Sequence, residues 1–429
     1  MNTSLFEPFY NSSGICTDSR EIQANSLFIC IKGDNFDGNQ FAEQALHKGA
    51  IHVIVDNPDS FIDNGKMTLV KDSVIYLQKL ANYHRRKFDI PVIGITGSNG
   101  KTTTKEILNI VLSKKYNVLA TRGNLNNHLG VPFTLLRITE QHEIAIIEMG
   151  ANKFKDIEEL CAIAEPNYGI ITNIGKAHLE GFKDFNGVLK TKKELYDFVS
   201  QNNGTLIVNS DDKILMDILP PSTRHITYGL NSEEIRGELV NLSPFVEMIW
   251  SHGDYTSSLL KTKMIGKYNF YNYLAACTFG TIFNIDKELI SQAIQEYNPT
   301  NNRSQVKKTD QNTLILDCYN ANPTSVHSAL ESFSMNLHPN KVVILGDMKE
   351  LGKESRLEHI KVINQLENLG ISGYTVGIEF THLQSDAILK SFLNSSEMIE
   401  HLKSKPISGQ LILLKGSRSI GLEVLENYL

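Results

Sequence analysis

The chain has 429 residues, which is too long for one ordinary domain and predicts two to four domains. Hydrophobic residues make up 41% of it and charged residues 21%, so it can bury several cores and we do not expect disorder. Its net charge of −6 disfavours a general nucleic-acid-binding protein, which would carry a basic excess. It also contains no apolar run long enough to span a membrane, no signal-peptide pattern and no CxxC pair among its five cysteines. We therefore expect a multidomain, cytoplasmic protein with no membrane and no nucleic-acid partner.

The first 90 residues alternate strand patterns with helical patterns. The predicted strands cover 27–31 and 51–55, and the predicted helices cover 39–49 and 73–87. Pro91 follows shortly after the second helix. We place a boundary there and predict a small N-terminal α/β domain over residues 1–90.

The middle of the chain shows the most regular alternation. Strands are predicted over 92–96, 118–120, 143–148, 169–173 and 205–208, with helices over 101–113, 129–137, 156–163 and 185–199. Short β segments follow over 224–264, and two further helices are predicted over 269–283 and 287–297. This order implies a mostly parallel sheet covered by helices on both faces. A turn-rich break at 298–302 ends the predicted central domain, residues 91–300.

The remainder of the chain alternates again. Strands are predicted over 313–318, 341–345, 373–376 and 410–414, and helices over 324–335, 355–369, 396–403 and 420–428. This pattern is typical of a doubly wound, Rossmann-like domain, here residues 301–429. The predicted fold class is therefore α/β with three domains.

A glycine-rich turn between a strand and a helix is the strongest local signal. Gly97 and Gly100 permit a tight backbone that presents N–H groups to phosphate oxygens, and the helix that follows adds the positive end of its dipole. Lys101 can reach the β/γ-phosphates and the Thr102 hydroxyl can bind Mg²⁺. Ile95 stands where the Walker pattern requires its first glycine, so this loop is a relative of that pattern. It predicts a central ATPase domain of the P-loop type.

The stretch TGSNGKTTTK over 96–105 resembles the ATP loop of the Mur ligases, which join amino acids or peptides to UDP-N-acetylmuramic acid intermediates of peptidoglycan. Further motifs follow in the family's order, over 17–20, 33–41, 123–132, 148–150 and 173–180. The C-terminal motifs over 317–325, 345–352 and 414–418 resemble the branch that adds D-alanyl-D-alanine to a UDP-N-acetylmuramoyl-tripeptide. The resemblance therefore implies an ATP-dependent ligase of peptidoglycan precursor synthesis that works through an acyl phosphate.

The resemblance also implies three groups of binding residues. Those for ATP are Gly97, Ser98, Asn99, Gly100, Lys101, Thr102, Thr103, Asn269, Asn272, Arg303 and Asp317. Those for the UDP end of the substrate are Ser19, Arg20, Asp37, Gly38, Asn126 and Asn127. Those for the incoming dipeptide are Tyr319, Asn320 and Asn322.

Four side chains are expected to carry the chemistry. Lys101 and Mg²⁺ would hold two anions together during phosphoryl transfer. Glu148 ends a predicted strand at the sheet edge where ligands bind, and its carboxylate suits Mg²⁺, as does Thr102. By resemblance, His178 is a ligand for a second Mg²⁺ ion. Lys192 matches a lysine that is carbamylated in sister ligases, although its neighbours Lys190 and Lys193 leave this assignment open.

Two positions depart from the family pattern, and two other functions stay open. Asn39 and Tyr268 stand where the family usually has histidine, near the uridine and the adenine respectively. One alternative is a sister ligase (MurE-like) that adds a single amino acid, although the Asp-Asn-Pro-Arg sequence of that branch is missing. The other is a catalytically inactive nucleotide-binding subunit. The sequence leaves open which third residue of the tripeptide is accepted.

Overall fold

The computed structural model describes residues 3–429, in which strands and helices alternate along most of the chain. The strands are β1 (Ile15–Cys16), β2 (Leu27–Ile29), β3 (Lys32–Gly33), β4 (Phe36–Asp37), β5 (His52–Val55), β6 (Met67–Leu69), β7 (Val92–Thr96), β8 (Val118–Ala120), β9 (Ile144–Glu148), β10 (Tyr168–Ile171), β11 (Thr205–Asn209), β12 (His225–Gly229), β13 (Ile235–Asn241), β14 (Glu247–His252), β15 (Tyr255–Thr256), β16 (Leu260–Lys261), β17 (Gln305–Lys308), β18 (Thr313–Leu316), β19 (Lys341–Gly346), β20 (Gly373–Val376), β21 (Ile388–Phe392) and β22 (Leu411–Lys415). The α-helices are α1 (Glu7–Tyr10), α2 (Ala42–His47), α3 (Ser73–Arg85), α4 (Lys101–Leu112), α5 (Gly130–Leu135), α6 (Asp156–Ala164), α7 (Leu179–Phe182), α8 (Phe185–Gln201), α9 (Lys213–Asp217), α10 (Lys267–Ile282), α11 (Lys287–Glu296), α12 (Pro323–Ser334), α13 (Ser355–Leu369), α14 (Ile378–Thr381) and α15 (Ser395–Ser404). Short 3-10 helices cover Thr3–Phe6, Gly38–Phe41, Pro58–Ser60, Gly352–Glu354, Arg418–Ile420 and Leu422–Tyr428.

The described chain forms two compact units that are not continuous in sequence. The first contains the residues up to 90 together with 121–142 and 159–165, and the second contains 91–120, 143–158 and 166–429. The two inserted segments join the first unit because α5 packs on α3, and because the Asn82 amide donates to the carbonyl oxygens of Ala162 and Ile163 at 3.1 and 3.0 Å.

The first unit is built on a parallel sheet with the order β1-β2-β5-β6. β2 is buried throughout its length. Its residue Phe28 packs with Val53 and Val55 of β5 and with Ala45 of α2. The segments 17–20 and 33–41 follow β1 and β2, so both UDP-type motifs come after the carboxyl ends of neighbouring parallel strands. That is the edge where α/β sheets bind ligands.

The second unit begins with a ten-stranded sheet of order β15-β14-β13-β12-β11-β10-β7-β9-β8, with β16 paired to β14. The strands from β8 to β13 in this order are parallel, and β14, β15 and β16 extend the sheet in antiparallel fashion. The chain passes from β7 to β8 on one side and later returns to β10 on the other. The strand order therefore reverses beside β7, which creates a crevice at its carboxyl end.

Helices α4 and α10 pack together over this sheet and form its largest core. Ile107, Leu108 and Val111 of α4 and Phe270 and Leu274 of α10 are all fully buried. Apolar residues recur along α4 at positions i, i+1 and i+4, so one stripe of this helix faces the core. The packing holds the first turn of α4, which carries the phosphate-loop residues, against the end of β7.

The C-terminal part of the second unit is a six-stranded sheet of order β17-β18-β22-β19-β20-β21, parallel except for β17. α12 contacts α13, whereas α15 contacts the 3-10 helix Leu422–Tyr428, as expected when connections cover both faces of a doubly wound sheet. The predicted fold class, α/β with an N-terminal, a central and a C-terminal sheet domain, is confirmed.

The C-terminal segment differs from its prediction. Residues 420–428 were expected to form an α-helix, but they form 3-10 turns on either side of Gly421, which has a φ of 68°. A left-handed residue at this position interrupts α-helical hydrogen bonding, which explains the difference. Among residues 3–429, no helix combines the length and apolar character that a membrane crossing requires.

Candidate active site

The loop between β7 and α4 has the geometry of a phosphate-binding loop. Gly97 and Gly100 have φ values of 148° and 81°, which residues with a side chain rarely adopt. A Cβ atom on Gly97 would lie 1.9 Å from the Oγ1 of Thr172. Asn173 fixes the loop from the next strand, because its Oδ1 accepts a 3.0 Å hydrogen bond from the Asn99 N–H. The predicted glycine requirement is thus explained by close packing as well as by backbone conformation.

Lys101 begins α4 and lies over the loop that precedes it. Its Nζ donates to the carbonyl oxygens of Gly97 at 2.6 Å and of Ser98 at 3.4 Å. Burial lowers the pKa of Lys101 to about 8, nearby Arg303 acts in the same direction, and Glu148 opposes both. The ammonium group is therefore bonded only to neutral carbonyl oxygens. An anionic acceptor such as a phosphate oxygen would form a stronger hydrogen bond with it.

Two predicted metal-binding residues meet at the carboxyl edge of the central sheet. Glu148 ends β9 next to β7, with Ile95 opposite it in the register, and it is 1% exposed. The Thr102 hydroxyl donates to its Oε1 at 3.1 Å. Lys105, one helical turn after Lys101, places its Nζ 3.7 Å from Oε2. Carboxylate and hydroxyl oxygens are hard donors, so this pair fits Mg²⁺.

His178 lies in the loop after β10, but its contact is with the C-terminal sheet domain. Its Nδ1 pairs with Oε2 of Glu350, in the loop after β19, and this hydrogen bond holds the pKa of Glu350 below its usual range. Its backbone has a φ of 50°, the left-handed conformation. The structure therefore brings Thr102 and Glu148 together and pairs the third predicted ligand with another residue. Among the described residues, no three histidine, cysteine or acidic side chains cluster as a metal site.

The three neighbouring lysines of α8 have different environments. Lys192 is 2% exposed, and burial, together with the charge of Lys101, lowers its pKa well below the usual value. Lys190 is exposed, and Lys193 pairs with Asp197 on the same helix. Of these three lysines, Lys192 is thus the buried one, and it is close enough to Lys101 to feel its charge.

Asn269 and Asn272 belong to a chain of hydrogen bonds that leads from α4 to the C-terminal sheet domain. The Thr104 hydroxyl donates to Oδ1 of Asn272 at 3.1 Å, and Asn272 Nδ2 donates to Oδ1 of Asn269 at 2.9 Å. Asn269 Nδ2 then donates to Oγ of Ser304 at 3.3 Å, and the Tyr268 hydroxyl bonds the same oxygen at 2.9 Å. Tyr268 is thus a half-buried partner of the linker at residue 304.

The predicted nucleotide and dipeptide residues of the C-terminal sheet domain lie after β18, except Arg303, which lies in the linker before β17. Arg303 stacks on the ring of Tyr319, with 3.7 Å between its Cζ and the ring centroid, and Arg418 lies 5.3 Å from the same centroid. Asp317 accepts a hydrogen bond from the Ser304 N–H at 3.1 Å and pairs with Lys415 at 2.8 Å. These contacts join the ends of β18 and β22 to the linker.

The other two dipeptide candidates make different contacts. Asn320 Oδ1 accepts only a local 2.9 Å hydrogen bond from the next N–H, that of Ala321. Asn322 caps α12, because its Oδ1 accepts from the Ser325 N–H at 2.9 Å, and its Nδ2 donates to Oδ1 of Asn99 at 2.7 Å. Asn322 thus connects the phosphate loop with the C-terminal sheet domain.

The predicted UDP-side residues lie in the first unit. A cavity of about 490 Å³ is lined by 13–18, Glu21, Gln23, Ser26 and Phe133, so it opens beside the motif at 17–20. Arg20 forms a fork on Asp18, with Nη2 2.6 Å from Oδ2, which lowers the pKa of Asp18 to about 2.

The remaining residues of that group shape the backbone of the first unit. Lys48 donates to the Ser19 carbonyl at 2.7 Å, and Asp37 caps the turn that starts at Gly38. A Cβ atom on Gly38 would lie 2.7 Å from the Ile31 carbonyl oxygen. Asn126 and Asn127 precede α5, and Asn127 Oδ1 accepts from the Gly130 N–H at 2.8 Å.

Three residues of the site escaped the sequence analysis. Lys105 lies in the stretch that carried the family resemblance, and its spacing of four residues from Lys101 places it on the same helix face. Lys415 lies in the motif at 414–418. Ser304 carries no recognisable sequence signal, because its role depends on contacts between distant segments.

Comparison with known proteins covers nearly the whole chain. Three family models match it: "Mur ligase family, catalytic domain" over 11–93, "Mur ligase middle domain" over 95–280 and "Mur ligase, glutamate ligase domain" over 302–418. A UDP-N-acetylmuramoyl-tripeptide–D-alanyl-D-alanine ligase of Bacillus subtilis is 32% identical, over 98% of this chain and 94% of that protein. Two solved structures superpose with TM-scores of 0.87. They are MurF of Acinetobacter baumannii, 29% identical over 99% and 97% of the two chains, and MurF of Thermotoga maritima in complex with ADP, 27% identical over 96% of each.

Proposed function

The chain belongs to the Mur ligase family, and we propose that it joins D-alanyl-D-alanine to a UDP-N-acetylmuramoyl-tripeptide at the expense of ATP. The observation that carries this function is the 32% identity with a ligase of that name over nearly the full length of both chains. The branch-specific motifs after β18, β19 and β22 support it, because they meet at one edge of the C-terminal sheet. The boundaries 1–90, 91–300 and 301–429 stay our proposal for its three domains.

The reaction needs an activated carboxylate, because a carboxylate and an amine do not condense unaided at neutral pH. The γ-phosphoryl group of ATP moves to the terminal carboxylate of the tripeptide, which releases ADP. The free amine of D-alanyl-D-alanine attacks this acyl phosphate, loses a proton, and displaces phosphate as the amide forms. Phosphoryl transfer depends mainly on positioning and on neutralising charge.

The phosphate loop supplies most of that positioning. We assign the N–H groups and side chains of 97–103 to the nucleotide phosphates, with Lys101 exchanging its bond to the Gly97 carbonyl for a phosphate oxygen. Thr102 and Glu148 would hold Mg²⁺, which neutralises phosphate charge when it is bound. His178 is our candidate for a second ion, and its pairing with Glu350 has to open for that role.

Lys192 is our candidate for carbamylation. A neutral amine adds to CO₂ with loss of a proton, which creates an N–C bond and a carboxylate that can face a cation. Burial lowers the pKa of Lys192, which makes its neutral amine more accessible than that of an ordinary lysine. Lys190 is exposed and Lys193 pairs with Asp197, so Lys192 is the better candidate of the three.

The substrates are assigned to the ends of the strands. We propose that Asn269, Asn272, Arg303 and Asp317 contact the nucleotide, and that Tyr319, Asn320 and Asn322 face the dipeptide. For the UDP end we propose Ser19, Arg20, Asp37, Gly38, Asn126 and Asn127, beside the cavity of the first unit. ATP and a UDP-linked precursor as substrates support a cytoplasmic enzyme, and we propose that it acts as a monomer.

One panel of assays tests this function. Purified protein, ATP and Mg²⁺ are combined with a UDP-N-acetylmuramoyl-tripeptide that carries meso-diaminopimelate or L-lysine as third residue, or with the UDP-linked dipeptide that lacks this residue. Each is offered D-alanyl-D-alanine or single amino acids. We expect phosphate release only when D-alanyl-D-alanine and a UDP-linked tripeptide are present together, at a rate that depends on the third residue of the tripeptide. Release with a single amino acid and a UDP-linked dipeptide would favour the sister ligase. ATP binding without any phosphate release would favour an inactive subunit.

A further inference from the structure

We propose that Lys105 is a positioning residue that holds the Glu148 carboxylate for its metal. The proposal rests on the function proposed above in one respect, because it takes Glu148 as a ligand for Mg²⁺. Lys105 lies on the second turn of α4, and its side chain is 5% exposed. Its Nζ lies 3.7 Å from Oε2 of Glu148, whose side chain is 2% exposed. The two opposite charges are thus buried together directly behind the phosphate loop.

The two oxygens of this carboxylate have different neighbours. Oε1 accepts the hydrogen bond from the Thr102 hydroxyl at 3.1 Å, whereas Oε2 faces Lys105. The charge of Lys105 attracts Oε2 from 3.7 Å, which is an electrostatic contact beyond hydrogen-bond distance, and this attraction disfavours rotation of the carboxylate. Lys105 therefore keeps Oε1 on the side of Thr102, where Oε1 and the Thr102 hydroxyl oxygen would both be available to one Mg²⁺ ion.

Burial alone does not account for a lysine at this position. A buried ammonium group loses its hydration, and an apolar side chain of similar length would fill the same space at lower cost. The neighbouring positions Ile107, Leu108 and Val111 of α4 are apolar and fully buried. The charge of Lys105 is thus matched to one nearby group, Glu148, rather than to the core around it.

The pairing also gives Lys105 a role before the nucleotide arrives. A buried carboxylate without a counter-charge is strongly destabilising. In nucleotide-free protein Lys105 is the cation paired with the Glu148 carboxylate, while Lys101 also acts on it, and Mg²⁺ that enters with the nucleotide would add a further positive charge. Removing Lys105 should therefore weaken the nucleotide-free protein most, and Mg²⁺ should restore part of the loss.

The test combines a double-mutant cycle with two nucleotide conditions. Lys105→Met, Glu148→Gln and the double variant are compared with the wild-type protein by thermal unfolding, without nucleotide, with ADP, and with ADP and Mg²⁺. Lys213→Met, at an exposed position on α9, is the matched control for loss of a lysine charge. We expect Lys105→Met to lower the unfolding midpoint by about 3 °C or more, and the added Glu148→Gln change to recover much of that loss.

The second readout separates positioning from packing. We expect Mg²⁺ to raise the midpoint of ADP-bound Lys105→Met by more than it raises that of the wild-type protein, because the metal supplies the missing positive charge. If Lys105→Met alone does not fold, recovery of folding in the double variant supports the proposal equally. Additive losses in the cycle, or an equal Mg²⁺ effect in both proteins, would overturn it. A wild-type protein that gains nothing from Mg²⁺ with ADP rejects the metal role of Glu148, and this role of Lys105 with it.

Discussion

The side-chain amide of Asn322 donates a 2.7 Å hydrogen bond to Oδ1 of Asn99, so a residue of the C-terminal sheet domain contacts the phosphate loop directly. The same Asn322 caps α12 through the Ser325 N–H. Asn99 is in turn held from behind, because the Thr172 hydroxyl and the Asn173 amide both bond its carbonyl oxygen. A change at Asn322 is therefore expected to affect both the phosphate loop between β7 and α4 and the start of helix α12.

The contact with Asn99 distinguishes Asn322 from Asn320, although the sequence assigned both residues to the dipeptide. Asn322→Ala should raise the KM for ATP about fivefold as well as that for D-alanyl-D-alanine, because it removes a hydrogen bond of about 1 kcal/mol to the loop. Asn320→Ala should raise the KM for the dipeptide only, since Asn320 bonds no residue of the loop. Steady-state kinetics with each substrate varied in turn makes the comparison. An unchanged KM for ATP in both variants would show that the contact with Asn99 is dispensable.

The phosphate loop allows a direct test of the ATP-dependent reaction. Lys101→Ala removes the cation that we assign to the transferring phosphoryl group and should lower kcat by about 10²-fold or more. The unfolding midpoint should change little, because the Nζ bonds only loop carbonyls. Lys213→Ala, an exposed lysine on α9, provides the control for charge removal. Near-normal phosphate release by Lys101→Ala would reject the proposed role of the loop.

The metal assignment predicts a change in the Mg²⁺ requirement. Glu148→Gln exchanges a charged oxygen ligand for a neutral one and should raise the Mg²⁺ concentration for half-maximal rate by about tenfold. Glu143→Gln is the matched control, because Glu143 precedes the same strand at the opposite edge of the sheet. His178→Ala should reduce kcat more than ATP binding if it holds a second ion. Equal Mg²⁺ curves for all these proteins would contradict the assignment.

How far the sequence predicted the site depends on the kind of contact involved. The approach of Thr102 to Glu148 follows from two neighbouring parallel strands that end at one edge, and both strands have strong apolar patterns. The pairing of His178 with Glu350 does not follow from such patterns, because it joins loops of two different sheets. The attachment of 121–142 to the first unit has the same cause, since it depends on α5 packing against α3.

Two short strands, β17 and β21, were not predicted from the sequence, for a different reason. β17 and β21 lie at the edges of the C-terminal sheet and contain lysines at exposed positions, so their apolar signal is weak. Charged edge strands are common, because they discourage pairing with other chains. The family resemblance pointed to Lys192 but left its neighbours Lys190 and Lys193 open, because the sequence does not show which lysine of α8 is buried.

Lys192 provides a test of the carbamate. Lys192→Ala should abolish most activity, and short carboxylates such as acetate should restore part of it by occupying the vacated oxygen position. Lys193→Ala removes a surface partner of Asp197 and should keep most of the activity, with no response to acetate. Activity measured with and without added acetate and bicarbonate decides the matter. Full activity of Lys192→Ala without acetate would reject the carbamate.

Asn39 stands where the family usually has histidine, and its contacts predict how Asn39→His would change stability. Its side chain is buried, and Nδ2 donates to Asp37 Oδ1 at 2.8 Å and to Asp56 Oδ1 at 2.7 Å. Its Oδ1 accepts from the N–H groups of Asp56 and Asn57 at 3.0 and 3.3 Å. The amide is thus fully used inside the first unit, where it supports the turn that carries Asp37.

An imidazole at this position cannot reproduce the pattern, because its neutral form has only one donor and one acceptor. Asn39→His should therefore lower the free energy of unfolding by about 1–3 kcal/mol at high pH, where one carboxylate is left without its donor. The two carboxylates should raise the pKa of the introduced imidazole above its unfolded value of about 6.5. Its protonated form donates to both, so the added stability is present below that pH and is lost as the pH rises through the folded pKa. Urea unfolding of both proteins at about pH 6 and about pH 9 measures the difference, and Asn39→Ala serves as the control that cannot titrate. A loss of stability in Asn39→His that is the same at both values would contradict the placement of the introduced ring between Asp37 and Asp56.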